Sequence, residues 1–326
     1  MIMQDDPCKK IPISCWIVQI MDPLSDILAL LQPKSVDTYG VVSGGEWALD
    51  FPRVYEGIKF GAVARGGGWL RVSGEPHPFR LEKGDCYLLT GQPYWLGSDL
   101  TLEGEDARTV FVDLKTRVAR YGPHEDVFLV GGRLTFDESH KVLLTGVLPP
   151  VMHIPAGADE AATLRWTLNQ LAKELSDMRP GSSLVSEHLG HILFVNALRL
   201  HMAREGGSSP GWLKGLNDPR IGRVLRVLHA EPAKRWTLEM LGKEAGMSRT
   251  AFALRFKTLV GWPPLDYLLR WRMRLAARAL VSVDRARLSE IALSVGYDSE
   301  SAFSAAFKRA MGCAPKHYQT RIRRRV

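Results

Sequence analysis

Histidines that could bind a metal ion lie close together at one place in this 326-residue sequence. Glu187, His188 and His191 fall within one turn of a predicted helix, and two imidazoles with a nearby carboxylate are metal-ligand types. A solvated or dimer-facing pair of histidines is the more ordinary interpretation. Between residues 51 and 102 the one histidine is His77, and the chain contains no His-x-His motif. Because no nucleophile or phosphate-binding motif stands out either, we expect no metal, no cofactor and no catalytic residue.

The thiol of Cys86 could do redox chemistry, because it follows a predicted turn that has basic residues nearby. Arg80 and Lys83 could lower the pKa of this thiol and make Cys86 a sensor of oxidants. The alternative is that Cys86 is a small, buried, apolar residue. Four other side chains alternate along candidate strands, where they either line an effector cavity or fill the core. They are Trp69, Arg71, Tyr87 and Trp95.

Positive charge is concentrated in the last third of the sequence. Residues 218–326 hold 22 Lys and Arg against 9 Asp and Glu, a net charge of +13, whereas the whole chain has +8. A basic region on an acidic body indicates a polyanionic partner such as nucleic acid. The four cysteines are scattered, no apolar run has the length of a membrane span, and the first residues lack the order of a signal peptide. These features predict a cytoplasmic protein.

The basic third contains an internal repeat whose matching residues are 51 positions apart. The matches are Ala251-Phe252 with Ala302-Phe303, Phe256-Lys257 with Phe307-Lys308, Gly261 with Gly312, and Pro264 with Pro315. Each copy follows a short predicted helix that ends at a glycine, then a tight turn and a serine N-cap. This order predicts two helix-turn-helix units, whose second helices can enter the major groove of DNA. A connecting helix over residues 265–281 would span about 25 Å, so the two recognition helices could lie near one turn of DNA apart, roughly 34 Å.

The helical phase of the two predicted recognition helices decides which side chains face outward. Phe252 and Phe256 fall on the inward face of the first helix. The outward residues are the candidate DNA-binding residues. They are Arg249, Thr250, Ala253, Leu254 and Lys257 in the first helix, and Glu300, Ser301, Ser304, Ala305 and Lys308 in the second.

The first half of the chain has short apolar runs separated by glycine and proline clusters. This pattern predicts an antiparallel β sandwich or barrel over residues 21–157, which begins with one short helix. Residues 1–20 would then be a disordered extension, and Met21 is an alternative start of translation. Residues 158–205 change to a helical period. Their second helix has two apolar stripes, and the stripe with Phe194 and Leu198 either dimerises the protein or is buried within the chain. Residues 206–217 are predicted to be a linker, before an N-cap at Asp218.

Residues 218–320 resemble the DNA-binding domain of the AraC/XylS family. The matching motifs are Ala245-Gly246-Met247-Ser248, Phe256-Lys257, Gly261, Trp271-Arg272-Met273, Ala276, Ile291-Ala292, Val295-Gly296-Tyr297, Phe303, Phe307-Lys308, Gly312 and Pro315. The front of the chain resembles the cupin-like sensor that precedes some of these domains. Its matching motifs are Met21-Asp22-Pro23-Leu24-Ser25, Glu56-Gly57-Ile58-Lys59-Phe60, Gly84-Asp85-Cys86, Phe128-Leu129-Val130-Gly131-Gly132 and Leu148-Pro149-Pro150.

The resemblance implies an α+β protein of two domains. The first would be an antiparallel β cupin-like barrel (21–157) with a helical dimerisation segment (158–205), and the second an all-α domain with two helix-turn-helix units (218–326). It further implies a transcription regulator whose front domain senses an effector, dimerises, or both.

One position in each recognition helix departs from the family pattern. Members often have an arginine two residues before the second phenylalanine, where this chain has Leu254 and Ala305. Arginine can donate two hydrogen bonds to guanine, whereas leucine and alanine offer only apolar contact, for example to a thymine methyl group. Four other residues are then expected to read bases: Arg249, Thr250, Ser301 and Ser304. Much of the affinity would come from phosphate contacts, which hold no sequence information.

We therefore predict a cytoplasmic, sequence-specific DNA-binding transcription regulator. Its expected partners are double-stranded promoter DNA, a second copy of the chain, a small-molecule effector and, if the protein is an activator, RNA polymerase. Two alternatives stay open. One is a cupin enzyme with a nucleic-acid-binding tail, and the other is an architectural DNA-binding protein of low specificity.

Overall fold

The chain folds as two units that are interleaved in sequence. In the computed structural model, one unit comprises Leu31–Ser209, and the other combines Met1–Leu30 with Pro210–Val326. The structure describes residues 22–31, 35–55, 57–111, 117–136, 148–157, 162–177, 179–205, 211–282 and 287–323. The predicted N-terminal extension, residues 1–20, lies outside these ranges. No helix within them has the length and apolarity needed to span a bilayer.

Helix α1 (Pro23–Leu31) does not group with the front domain, where the sequence prediction placed it. Asp22 begins the helix, because its carboxylate accepts hydrogen bonds from the backbone N–H and the hydroxyl of Ser25. Leu24 and Ile27, three residues apart on one face, are buried. Up to Leu30 the helix is part of the C-terminal unit.

Two sheets form the front unit within the described residues. Their strands are β1 (Ser35–Ser43), β2 (Ala48–Phe51), β3 (Ile58–Arg65), β4 (Gly68–Val72), β5 (Phe79–Leu81), β6 (Cys86–Leu89), β7 (Tyr94–Gly97), β8 (Glu105–Asp106), β9 (Val118–Tyr121), β10 (Val127–Thr135) and β11 (Val151–Ile154). The first sheet has the order β11-β6-β3-β10-β1-β9, and the second has the order β5-β4-β7-β2-β8. The prediction of a β-rich, cupin-like front domain is confirmed, although β1–β9 and β2–β8 are parallel pairs at the sheet edges.

The core of the front unit lies between the two sheets. Val63 and Leu129 of the first sheet belong to the same buried cluster as Leu49 and Leu70 of the second. Along β4 the buried residues alternate with more exposed ones, which is the pattern of a sheet with one buried face, whereas β10 is buried on both faces. One short helix, α2 (Ala107–Val110), follows β8 and is capped by Asp106.

A helical hairpin completes the front unit. Helices α3 (Ala162–Asp177) and α4 (Ser182–Glu205) pack on each other and on β1, and Gly181 makes the turn between them with a φ of +85°. Phe194 is 2% exposed and Leu198 is 0% exposed. The stripe that was predicted to face a second subunit is therefore covered within this chain, which was the alternative interpretation of the two-stripe pattern.

The rest of the C-terminal unit is helical. Its elements are α5 (Trp212–Asn217), α6 (Pro219–Ala230), α7 (Leu238–Glu244), α8 (Arg249–Val260), α9 (Pro264–Ser282), α10 (Leu288–Ser294), α11 (Glu300–Met311) and α12 (Pro315–Arg323). The end of the predicted linker is helix α5, whose Trp212 and Leu213 are buried. The predicted N-cap at Asp218 is confirmed, because its carboxylate accepts from the backbone N–H groups of Arg220 and Ile221.

Candidate nucleic-acid interface

Helices α7 and α8 form the first helix-turn-helix unit. Thr237 caps α7 by accepting a hydrogen bond from the backbone N–H of Met240. In the turn, Gly246 has a φ of +61°, a conformation that glycine adopts without steric cost. Ser248 then caps α8, accepting from the backbone N–H of Ala251 at 3.4 Å. The recognition helix therefore begins at Arg249, as the serine in the sequence predicts.

Helices α10 and α11 repeat this construction in the second unit. The turn glycine, Gly296, has a φ of +83°, and a Cβ at this position would lie 2.5 Å from the backbone oxygen of Ala233. Ser299 caps α11 by accepting from the backbone N–H of Ala302 at 3.3 Å. The repeat in the sequence thus corresponds to two helix-turn-helix units, each with a turn glycine at positive φ and a serine cap on its recognition helix.

Buried aromatic pairs fix the rotation of each recognition helix. Phe252 and Phe256 are fully buried with ring centroids 5.7 Å apart, and Phe303 and Phe307 are fully buried at 5.6 Å. Phe256 also makes an edge contact with Tyr267 on the connecting helix α9. Removing such a ring typically costs about 3–5 kcal/mol of stability. Because the inward faces are fixed, the opposite faces of α8 and α11 are held toward solvent.

The predicted DNA-binding residues all lie on these outward faces. Ala253 and Ser304 are half-buried, and the others are exposed: Arg249, Thr250, Leu254, Lys257, Glu300, Ser301, Ala305 and Lys308. Leu254 is unusual on a solvent-facing helix surface, because it is a large apolar residue that is 68% exposed. An exposed leucine here is available for apolar contact with a thymine methyl group.

Arg249 has an acidic partner in the structure without DNA. Its guanidinium lies 3.0 Å from the Glu239 carboxylate of α7, and both side chains are more than half exposed. A pair this exposed contributes little to stability. It can therefore exchange for a contact with a guanine base, which also accepts hydrogen bonds from arginine.

Arg255 anchors the first recognition helix to the start of α6. Its guanidinium donates to the carboxylate of Asp218, the residue that also caps α6. Burial by itself would raise the pKa of Asp218, but the hydrogen bonds from Arg255 and from two backbone N–H groups outweigh it and lower that pKa. No local sequence pattern predicts this bridge, since the two residues are 37 positions apart.

A buried polar cluster links α1 to the DNA-binding unit, and sequence reasoning missed it. His229 of α6 contacts the Asp26 carboxylate at 3.1 Å and the Tyr267 hydroxyl at 2.8 Å. Its ring stacks on Trp271 at a centroid distance of 3.9 Å. Burial lowers the pKa of His229, although Asp26 opposes that shift. Asp26 and His229 are 203 positions apart, so no local pattern could predict their contact.

Cys86 does not have the environment that the redox hypothesis requires. Its thiol is buried, and burial followed by the charge of Asp85 raises its pKa to about 12. Arg80 lies over the ring of Trp69 instead, and Lys83 is exposed in the preceding turn. A reactive thiol needs a lowered pKa and access to oxidants. The structure favours the alternative of a small buried residue.

The other predicted effector residues do not form one site. Arg71 lies over the ring of Trp95, at 4.8 Å, and both line an open groove on the second sheet. Tyr87 lines a different cavity, between the two sheets. Trp69 contacts Arg80 and lines neither space. Alternation along strands predicted which faces these residues occupy but not which strands are neighbours.

His188 and His191 have ring centroids 6.3 Å apart on α4. Burial lowers the pKa of His191, against the charge of Glu187. The described residues hold no group of three or more His, Cys, Asp and Glu side chains placed to bind a metal ion.

Comparison with known proteins agrees with this architecture. The family model described as cupin matches residues 22–203, and the model described as helix-turn-helix domain matches residues 241–321. A putative AraC-like transcription regulator from Streptomyces antibioticus is 44% identical over 302 residues, covering 92% of this chain and 98% of that protein. The RCS-specific HTH-type transcriptional activator RclR of Escherichia coli is 30% identical over 310 residues, covering 93% and 99%. The DNA-binding domain of AdpA, solved in complex with a target DNA, is 31% identical over 33% of this chain and 96% of that chain, with a TM-score of 0.31.

Fold and matches together define a protein with a cupin-type front domain and a DNA-binding domain of two helix-turn-helix units. Because the Streptomyces relative is 44% identical over nearly the whole chain, this chain belongs to the AraC-like transcription regulators. It is a sequence-specific DNA-binding regulator of transcription.

Proposed function

We propose that the chain regulates a promoter in response to a small molecule that binds its front unit. The C-terminal unit would place α8 and α11 in successive major-groove segments of one DNA site. The observation that best supports this proposal is the twofold occurrence of the same capped recognition helix within one basic domain. Helix α9, with 19 residues, would span about 28 Å between the two helix-turn-helix units.

We infer that bases are read mainly at the N-terminus of α8. Arg249 and Thr250 occupy the first turn, where recognition helices usually meet base edges. In α11 the corresponding turn has Glu300 and Ser301, and a carboxylate is repelled by phosphate. Ser304 and Lys308 follow on the same face, where lysine would contact the backbone rather than bases. The first unit should therefore contribute more of the specificity than the second.

A footprint tests the core of this proposal. Purified full-length protein should protect two adjacent segments upstream of its own gene or a neighbouring gene. Protection without defined boundaries would support an architectural DNA-binding protein instead.

We further propose that the chain is not an enzyme and that it acts in the cytoplasm, where it meets DNA and RNA polymerase. The support is that relatives matching over almost their full length are named transcription regulators. Activation, and with it a contact to RNA polymerase, stays a prediction.

A homodimer is part of the same proposal. Its contact would use residues other than Phe194 and Leu198, because these two are buried within the chain. Leu184, Val185 and Ile192 are exposed apolar side chains on α4. An Ile192→Glu variant should convert a dimer at micromolar concentration into a monomer, because a charge would enter an apolar contact. Sedimentation measures this, and Ser176→Glu, at an exposed polar position on α3, is the matched control. A wild-type monomer at that concentration would show that the homodimer proposal is wrong.

A further inference from the structure

A cavity between the two sheets of the front unit has an unusual lining. Its volume is about 470 Å³, within the range of small-molecule sites. Four of its lining residues are charged and three are aromatic. The charged residues are Asp37, Lys59, Arg117 and Arg133, and the aromatic residues are Tyr39, Phe51 and Phe111. The side chains of Asp37 and Arg133 are about half exposed, so the cavity opens to solvent at its charged end.

The strand register of the first sheet places a row of charged residues at one end of the cavity wall and a row of apolar residues further along the strands. Arg133 of β10 lies opposite Asp37 of β1 on one side and opposite Lys59 of β3 on the other. Four residues further into the sheet, the same face presents an apolar row that belongs to the buried core. That row consists of Val41, Leu129 and Val63. The charged end of a ligand would therefore lie at the outer row, beside Lys59.

Two glycines in the row between these layers are covered by aromatic rings. Gly131 and Gly61 lie opposite each other on β10 and β3. A Cβ at Gly61 would lie 2.1 Å from the ring of Tyr87, so that ring lies directly over the glycine. The inner space between the rings of Tyr39 and Tyr87 has a volume of only about 20 Å³, so a ligand would lie in the outer cavity, beside Lys59, Tyr39 and Phe51. Aromatic walls favour a flat apolar body.

Lys59 has aromatic and hydroxyl partners. Its ammonium lies 4.7 Å from the ring centre of Phe51, 4.4 Å from that of Tyr55 and 4.8 Å from that of Tyr94, and it donates to the Tyr94 hydroxyl at 3.2 Å. Among the described residues no carboxylate is within ion-pair distance of it, because Asp37 pairs with Arg133 at 3.1 Å. A half-buried ammonium without an anionic partner gains free energy when a carboxylate binds it.

We propose that this cavity binds a small organic monoanion with a flat apolar body. The carboxylate or equivalent anionic group contacts Lys59, and the body lies against Tyr39 and Phe51. The inference rests on the proposed function as an effector-responsive regulator and names the chemical class of that effector.

The pH dependence of binding follows from the same group. Burial, followed by the charge of Arg133, lowers the pKa of Lys59 to about 8. Burial raises the pKa values of Tyr39, Tyr55 and Tyr94, so these hydroxyls stay neutral in that range. The charged groups that line the same cavity as Lys59 are then Arg133, Arg117 and Asp37. Affinity for an anion should fall as the pH rises through about 8, because the ammonium loses its proton.

Titration of the full-length protein with 2-naphthoate and with the neutral amide 2-naphthamide tests the proposal. The two probes share one flat body and differ in charge. Naphthoate should bind at least about tenfold more tightly than naphthamide. Lys59→Met should remove that difference, and Lys83→Met, which removes an exposed lysine from a turn, should keep it. Thermal unfolding of each variant checks that Lys59→Met remains folded.

Four outcomes would overturn the proposal. Equal affinity for both probes indicates an uncharged apolar ligand, and displacement of naphthoate by equal concentrations of inorganic sulfate indicates a simple anion site. Binding of neither probe, or equal losses in Lys59→Met and Lys83→Met, also contradicts it. DNA binding by the same three proteins is measured without probe. Intact DNA binding together with any of these outcomes rejects the ligand class and leaves DNA-binding regulation standing.

Discussion

Single residues determine how the recognition helices begin and what they present. Ser248 and Ser299 cap α8 and α11, and the sequence predicted both caps because serine accepts from the third backbone N–H of a helix. The pairing of Arg249 with Glu239 could not be predicted in the same way, because it depends on how α7 and α8 cross. The outward Arg249 is therefore held only by a weak surface pair.

Arg249 is where substitution should change specificity most. Arg249→Ala should weaken binding to the preferred site by roughly 1–3 kcal/mol and relax the preference at one base pair. Glu239→Gln should tighten binding by less than about 1 kcal/mol, because it removes a competing exposed partner. Arg120→Ala, which removes an exposed arginine from the front unit, is the control and should leave affinity unchanged. If Arg249→Ala weakens all DNA sequences equally, the side chain contacts phosphate and not a base.

At the scale of whole helices, the spacing of apolar residues predicted some elements correctly and left the packing of others open. The repeat predicted both helix-turn-helix units and a connecting helix, and α9 runs over Pro264–Ser282, close to the predicted 265–281. The two apolar stripes of α4 could not distinguish a dimer contact from burial, since the same pattern suits both. The placement of α1 could not be predicted either, because its partner His229 belongs to a distant helix.

The contact between α1 and α6 should make the C-terminal unit sensitive to acid. In the folded unit, burial lowers the pKa of His229 despite Asp26 and Asp22, whereas an unfolded histidine titrates near 6.5. The unfolded chain therefore binds more protons as the pH falls below about 6.5, and stability is lost in that range. The hydrogen-exchange protection factors of α6 and α9, which are corrected for the intrinsic exchange rate at each pH, should fall between pH 7 and about 5. His229→Gln should reduce this fall, and His77→Gln, in a loop of the front unit, should not. An equal fall in wild type and His229→Gln would contradict a role for His229.

Across the whole molecule, the distribution of charge distinguishes the DNA-binding C-terminal unit from the front unit that we propose to bind an effector. The DNA-binding third has a net charge of +13 within a chain of +8, which predicts binding that weakens steeply with salt. The chain passes between the two units near residues 31 and 210. Residues 31–37 are the shortest covalent path between the C-terminal unit and the charged cavity, because Asp37 of β1 lines that cavity. Sequence patterns predicted a DNA-binding region and a sensing front domain. They could not predict which residues line the cavity, because that depends on strand register.

We propose that two helix-turn-helix units read one DNA site, with the first unit supplying most of the specificity. This is measured by selecting binding sites from random DNA with the full-length protein. We expect two half-sites about one helical turn apart, one with sharp base preferences and one with weak preferences. Arg249→Ala should relax the sharp half-site alone. Equally sharp half-sites would show that Ser301, Ser304 or DNA shape specifies more than we propose, and a selection without any enriched sequence would contradict sequence-specific reading by either unit.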